Sequence, residues 1–168
     1  MLRRMVSNCM GLGYDVVDVA ALDEQLAEPG TRMRNLFSAR EMHQALRIAS
    51  VKGDGATVHL AAKWAGKEAV LKAWEEALGE RPSPYTLDDF PWKSIEILDD
   101  QRGRPRVVLS EDVEETLRAS LAWSDGEPGW LISLSHDGLI AGAVVMLVRR
   151  DPNDKHSTDE SPLERMVS

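Results

Sequence analysis

Residues 56–78, Ala-Thr-Val-His-Leu-Ala-Ala-Lys-Trp-Ala-Gly-Lys-Glu-Ala-Val-Leu-Lys-Ala-Trp-Glu-Glu-Ala-Leu, constrain the fold more than any other stretch. Strong helix formers dominate, and Leu60, Trp64, Ala65, Leu71 and Leu78 recur at helical spacing. Gly79 ends the run, with Pro82 and Pro84 beyond it. One long helix of this kind needs other elements to cover it, and the flanking sequence supplies them. Residues 10–19 are apolar and β-branched and read as a buried strand with a polar break at Asp15. A short helix over 20–28 is stopped by Pro29-Gly30. A helix over 38–49 starts at Ser38 with Glu41 three residues on, the spacing of a capping box. Beyond a loop at 79–90, strands are predicted over 94–98 and 106–109 around a turn at 99–103. A helix over 111–121 follows, then strands over 129–135 and 139–148 hinged at His136-Asp137-Gly138. Strands and helices are segregated rather than alternating, so the class is α+β.

With 168 residues the chain holds one domain, placed at 10–150. Residues 1–9 are expected to be a flexible, dispensable extension, since Met1, Met5 and Met10 could each start the chain. Residues 151–168, with two cations against five acids and little apolar content, are expected to be a mobile acidic tail. The net charge of −8 argues against general nucleic-acid or anionic-membrane binding, both of which need a basic surface. The single cysteine, Cys9, excludes an intramolecular disulfide and Cys-clustered metal sites, and it fits a reducing cytoplasm. Neither a signal peptide nor a membrane span is long enough to be read in the sequence, because Asn8, Gly11, Gly13 and Asp15 interrupt the first apolar run.

Four features could carry chemistry. Asp15 stands inside an apolar strand, where a carboxylate needs a helix N–H, a lysine or a divalent cation to compensate it. Asp18 is better placed to start the next helix. Trp64, Glu68 and Lys72 share one helical face, with Lys67 and Leu71 beside them. By spacing alone this is more readily an ordinary Glu–Lys surface pair than a site, although one carboxylate, two ammonium groups and an aromatic would suit a metal–phosphate complex. Ser133-Leu134-Ser135-His136-Asp137 puts both serines on one face and His136 at a strand end. A hydrolase is rejected, because no Gly-x-Ser-x-Gly elbow exists in the chain. Last, residues 31–52 carry Arg32, Arg34, Arg40, Arg47 and Lys52 against Glu41 alone, a basic excess that could dock an acidic protein.

Taken together these residues resemble holo-[acyl-carrier-protein] synthase, the small trimeric class of 4′-phosphopantetheinyl transferases, in its actinobacterial form. Gly11-Leu12-Gly13-Tyr14-Asp15 resembles the family's Gly-x-Gly-x-Asp opening, and Trp64-Ala65-Gly66-Lys67-Glu68-Ala69-Val70-Leu71-Lys72 its (Trp/Phe)-x-x-Lys-Glu-Ala-x-x-Lys signature. Ile95-Glu96-Ile97, then Gly103-Arg104-Pro105, then Ser133-Leu134-Ser135-His136 follow in the family's order. The resemblance implies the phosphopantetheinyl transferase fold: a small antiparallel sheet with a long central helix, in a homotrimer whose active sites lie between subunits. It implies transfer of the phosphopantetheine arm of coenzyme A to a serine of an apo acyl carrier protein in fatty acid synthesis, with 3′,5′-ADP released. On that pattern Asp15 and Glu68 bind Mg²⁺, and Glu68 and Lys72 are catalytic. Lys63, Lys67, Lys72, Ser135 and His136 face coenzyme A, and Arg32, Arg34 and Arg40 dock the carrier. The carrier could be a free protein or a domain of a type I synthase; the rival from another class is a non-catalytic coenzyme A-binding module. Three departures from the pattern stand out, one being the acidic tail after Arg150, which has no counterpart in the family's core. Tyr14 replaces a branched aliphatic beside the proposed metal ligand, and Glu80-Arg81-Pro82-Ser83-Pro84-Tyr85 replaces a short Gly-rich loop near the nucleotide.

Overall fold

A computed structural model describes residues 9–123 and 126–150. The acidic tail over 151–168, and all of the expected N-terminal extension but Cys9, lie outside the described residues. Strand β1, Cys9–Asp18, pairs antiparallel with β5, Ile140–Arg150, which pairs in turn with β4, Glu127–Asp137. The strand order is β1-β5-β4. A second, two-stranded sheet joins β2, Ile95–Asp99, to β3, Pro105–Leu109. The architecture is α+β as expected, with two small antiparallel sheets where one was anticipated. The β4–β5 hairpin is tighter than the sequence suggested. Asp137 still pairs with Ile140, so only Gly138 and Leu139 turn the chain, and Gly138 takes a positive φ of 55°. His136 is therefore a strand residue, not part of a hinge.

Among the described residues there are four α-helices: α1 over Val19–Ala27, α2 over Ala39–Lys52, α3 over Ala56–Leu78 and α4 over Glu111–Leu121. Asp18 caps α1, its Oδ1 accepting from Ala21 N at 3.0 Å, and Ser38 with Glu41 forms the expected capping box of α2. Helix α3 is buried on nearly every side, with Ala61, Ala65, Ala69, Ala73 and Ala77 recurring every fourth residue as a low ridge. Strand β1 lies directly on this ridge. A Cβ on Gly13 would sit 1.8 Å from the Ala69 carbonyl oxygen, and one on Gly11 would sit 2.0 Å from that of Ala73. The Gly-x-Gly opening is thus a packing device that lets strand backbone touch helix backbone.

Aromatic side chains hold the segment after α3. Trp74, Tyr85 and Phe90 meet edge to face, Phe90 meets Trp92 at 4.5 Å, and Trp92 meets Trp64, which meets Phe37. Arg81 closes two helix ends at once, donating to the carbonyls of Ala77 and Leu78 in α3 and of Leu121 in α4.

Strand β2 has a neighbour on one side only, and its other edge is satisfied by side chains. Glu41 Oε1 accepts from Ile97 N at 2.8 Å, and Lys63 Nζ donates to Ile97 O at 2.7 Å. Gln44 accepts from Asp99 N and donates to Asp99 O, both at 2.9 Å, while Lys67 Nζ donates to Ile95 O. Helices α2 and α3 thereby supply what a neighbouring strand would, and the small sheet is locked onto α3.

Candidate functional site

Alternation along β1 turns Asp15 inward, onto α3, where Glu68 and Lys72 lie one helical turn apart. Asp15 is nearly enclosed, its side chain 12% exposed. Its Oδ1 accepts from Lys72 Nζ at 2.7 Å, and the same ammonium donates to the Tyr14 carbonyl at 3.1 Å. That hydrogen bond to Asp15, more than anything else, raises Lys72 above its ordinary pKa. The other carboxylate oxygen, Asp15 Oδ2, is buried and has no hydrogen-bond partner. Glu68 is half-buried, and its pKa is pushed up to about 7. Burial is the first cause, a hydrogen bond from the protonated Glu68 carboxyl to Asp15 and then the Asp15 charge add to it, and Lys72 works against them.

Two carboxylates set against each other with one buried oxygen unsatisfied lack positive charge. Lys72 supplies part of it from the solvent side, where 55% of its side chain is exposed. Among the described residues no group of three or more His, Cys, Asp or Glu is arranged to hold a metal. The donor set is therefore a pair, which fits Mg²⁺, a cation that keeps waters and takes one or two carboxylates together with phosphate oxygens. Of the three compensations weighed for Asp15 in the sequence, the lysine is the one observed, on Oδ1. Helix capping belongs to Asp18 instead.

Other expected site residues fall elsewhere. Lys63 and Lys67, expected to face coenzyme A, are 2% and 0% exposed and turn their ammonium groups into the protein. Lys67 Nζ is 2.9 Å from Glu41 Oε2 and donates to Trp92 O at 2.6 Å; Lys63 Nζ lies 3.1 Å from Asp99 Oδ2. Every one of these partners lies on the β2 side of α3, away from Asp15. Burial draws the Lys67 ammonium below its ordinary pKa, against the pull of Glu41. Ser135 is on the outer face of the three-stranded sheet, where Tyr14, Val16, Ser133 and Val144 line a depression of about 260 Å³. The sheet lies between Ser135 and the Asp15–Glu68 pair. Tyr14 is on the same outer face, 59% exposed, so its hydroxyl is not beside Asp15. His136 faces inward, but it meets His59, and nine residues of α3, about 14 Å of rise, separate His59 from Glu68.

In the basic segment, Arg32 and Arg34 are exposed around a 3₁₀ turn over Met33–Leu36, and Arg34 Nε donates to Leu26 O at 3.3 Å. Arg40 is also exposed, but it forms a two-pronged ion pair with Glu96 that neutralises much of its charge. Sequence reasoning missed the Glu41–Lys67 pair and the Asp54–His59 hydrogen bond of 2.8 Å. The capping box was the one signal for Glu41, and it showed only the half of its bonding that is local. Nothing in the local pattern marked His59.

Comparison with known proteins shows the family. The family described as the 4′-phosphopantetheinyl transferase superfamily matches residues 11–134. Holo-[acyl-carrier-protein] synthase of Bifidobacterium animalis subsp. lactis is 57% identical over 146 residues, covering 84% of this chain and 99% of that one. The Mycobacterium leprae enzyme of the same name is 38% identical over 139 residues, covering 82% of this chain and 95% of its own. Among solved structures, the ACPS–CoA complex of Chronobacterium ammoniagenes superposes with a TM-score of 0.71 at 33% identity, covering 83% of this chain and 97% of that chain. The acyl carrier protein synthase of Mycobacterium tuberculosis gives 0.58 at 33% identity over 84% and 98%. The strand–helix pair that presents Asp15, Glu68 and Lys72 lies within the matched residues, and the chain belongs to the holo-[acyl-carrier-protein] synthase family of the 4′-phosphopantetheinyl transferase superfamily.

Proposed function

We propose that the protein transfers the 4′-phosphopantetheine arm of coenzyme A to a serine hydroxyl of an apo acyl carrier protein, free or as a carrier domain, and releases 3′,5′-ADP. The observation that carries this reading is the unsatisfied Asp15 Oδ2 beside Glu68, with the Lys72 ammonium at the open side. Phosphoryl transfer asks for positioning and charge neutralisation rather than covalent chemistry by the protein, and this is such a set. Asp15 and Glu68 would hold Mg²⁺, which when bound supplies positive charge to the coenzyme A pyrophosphate. Lys72, bonded to Asp15 and half exposed, is placed to offer its ammonium to a phosphate oxygen. The serine oxygen attacks the phosphorus, the bond from that phosphorus to the 3′,5′-ADP oxygen breaks, and the serine proton goes to Glu68, directly or through a water it orients. A non-catalytic coenzyme A-binding module would have no use for a second buried carboxylate at this cost.

The outer face of the β1-β5-β4 sheet supports assembly into a homotrimer. Leu12, Tyr14, Val16, Leu131, Ile140 and Val144 stand on it with no helix over them, each at least 40% exposed. A second copy over this face would bury them and bring another chain to Ser135, as a site shared between subunits requires. Arg32 and Arg34 are the proposed contacts for an acidic carrier. No described helix is long and apolar enough to cross a membrane, and the proposed compartment is the cytoplasm.

The test is a mass spectrum of apo acyl carrier protein incubated with the enzyme, coenzyme A and Mg²⁺, beside an EDTA control. A gain of one phosphopantetheine that EDTA abolishes is expected. Coenzyme A binding with no gain on a free carrier or on a type I carrier domain would overturn the proposal in favour of the non-catalytic module.

A further inference from the structure

His59 is 7% exposed, in the first turn of a helix whose interior is otherwise built largely from alanine and aliphatic side chains. An imidazole there must bury two polar nitrogens, which a phenyl ring of similar size would not. One nitrogen is accounted for: Nε2 is 2.8 Å from Asp54 Oδ1. Asp54 is itself held in the short link between α2 and α3, its N–H donating to Ala49 O at 3.2 Å. The hydrogen bond to His59 is the main reason the Asp54 carboxyl lies below its ordinary pKa. His59 also meets His136 edge to face, with ring centroids 5.7 Å apart and planes at 87°. His136 is exposed, the last residue but one of β4, and the His59 ring is the aromatic surface against which it rests.

Asp54, His59 and His136 therefore form a directed chain. The carboxylate fixes which nitrogen of His59 carries the proton and so fixes the plane of that ring; the plane of His59 then sets that of His136. We infer that Asp54 and His59 are positioning residues that hold the His136 imidazole oriented for an anionic oxygen of coenzyme A. The inference rests on the transferase reading above and names a partner for His136 outside the Asp15–Glu68 pair. Pre-orienting an exposed side chain removes part of the ordering cost at the moment of binding, so the benefit appears in coenzyme A affinity more than in turnover.

The experiment is steady-state kinetics of the full-length enzyme with Mg²⁺, coenzyme A and apo carrier, for His136→Ala, His59→Phe, Asp54→Ala and the double variant His59→Phe/His136→Ala. His59→Phe keeps the ring and removes the hydrogen bond; Asp54→Ala removes the same bond from a partly exposed link, should the phenyl variant fold poorly. His136→Ala is expected to raise the coenzyme A KM about tenfold. His59→Phe and Asp54→Ala are each expected to raise it about threefold, with kcat within about twofold and the carrier KM unchanged. In the His136→Ala background, His59→Phe should add nothing. An undiminished effect there, or losses spread equally over kcat and the carrier KM, would reduce Asp54–His59 to a structural pair and leave the transferase reading intact. A normal coenzyme A KM in His136→Ala would overturn the positioning role outright, and absence of transfer by the wild-type enzyme would overturn the reading beneath it.

Discussion

Replacing Lys67 by Met separates its two possible roles. The side chain is fully enclosed, paired with an equally enclosed Glu41 at 2.9 Å, and bonded to the carbonyls of Trp92 and Ile95. Met fills nearly the same volume, so cavity formation contributes little, and the loss is electrostatic. Removing one member of a buried pair leaves an uncompensated charge and costs about 3–5 kcal/mol. Two backbone carbonyls also lose their donor. For a chain of this size that corresponds to a fall in Tm of roughly 6–20 °C. The proposed trimer would make apparent stability depend on protomer concentration, so the melts are run at one protein concentration. The double variant Lys67→Met/Glu41→Gln removes the stranded charge; its amide oxygen can accept from Ile97 N, but its NH₂ then faces the Ser38 N–H, so it should recover only part of the loss. Scanning calorimetry or circular dichroism reads the melts, and transfer kinetics at 25 °C reads the coenzyme A KM. A Tm within about 2 °C of wild type, less than the smallest shift expected for a lost buried pair, together with a strongly raised coenzyme A KM would refute the reasoning and return Lys67 to the phosphates.

Gly13→Ala should cost at least as much, because its Cβ would lie 1.8 Å from the Ala69 carbonyl and β1 must lift off α3; a variant with normal Tm and normal transfer would contradict that packing. Glu68 binds a proton in the folded, metal-free protein between its ordinary value near 4.5 and about 7, so stability should fall as pH rises through that window. Mg²⁺ should accordingly stabilise more at about pH 8 than at about pH 5.5, and Glu68→Gln should flatten both trends while abolishing transfer; thermal melts with and without Mg²⁺ check this. Arg32→Glu with Arg34→Glu should raise the carrier KM several-fold at low salt and less at high salt, whereas Arg40→Ala, already paired with Glu96, should have the smaller effect. Titrating salt in the transfer assay distinguishes them.

Local signals in the sequence carried far. Helix α3 begins and ends where its composition and Gly79 place it, and α2 starts at the Ser38–Glu41 box. Strand ends were less legible. Hairpin pairing runs on until the backbone must turn, which moved His136 and Asp137 into β4. The lysines of α3 show where local reading stops. Spacing put Lys67 beside Glu68, but the sequence does not reveal that α3 is enclosed on its β2 side as well. Lysine is almost never fully buried, and the partners that make it tolerable here, the carbonyls of Ile95 and Ile97, lie 28 and 34 residues along the chain. Alternation correctly grouped Ser133 with Ser135. It could not say that their face looks away from Asp15, since that depends on which side of the sheet receives α3.

The contact between the glycines of β1 and the alanine ridge of α3 has a bearing on how this site can change. Asp15 follows Gly13 by two residues, and Glu68 precedes Ala69 by one, so the gap between the carboxylates is gauged by main chain resting on main chain. No side chain lies between the two backbones at that contact to be enlarged, trimmed or repacked. Drift in the surrounding core will leave that spacing untouched, and adaptation to a different carrier protein must come from parts mounted elsewhere: the arginine-bearing turn after α1, the aromatic-pinned segment after α3, and the outer sheet face.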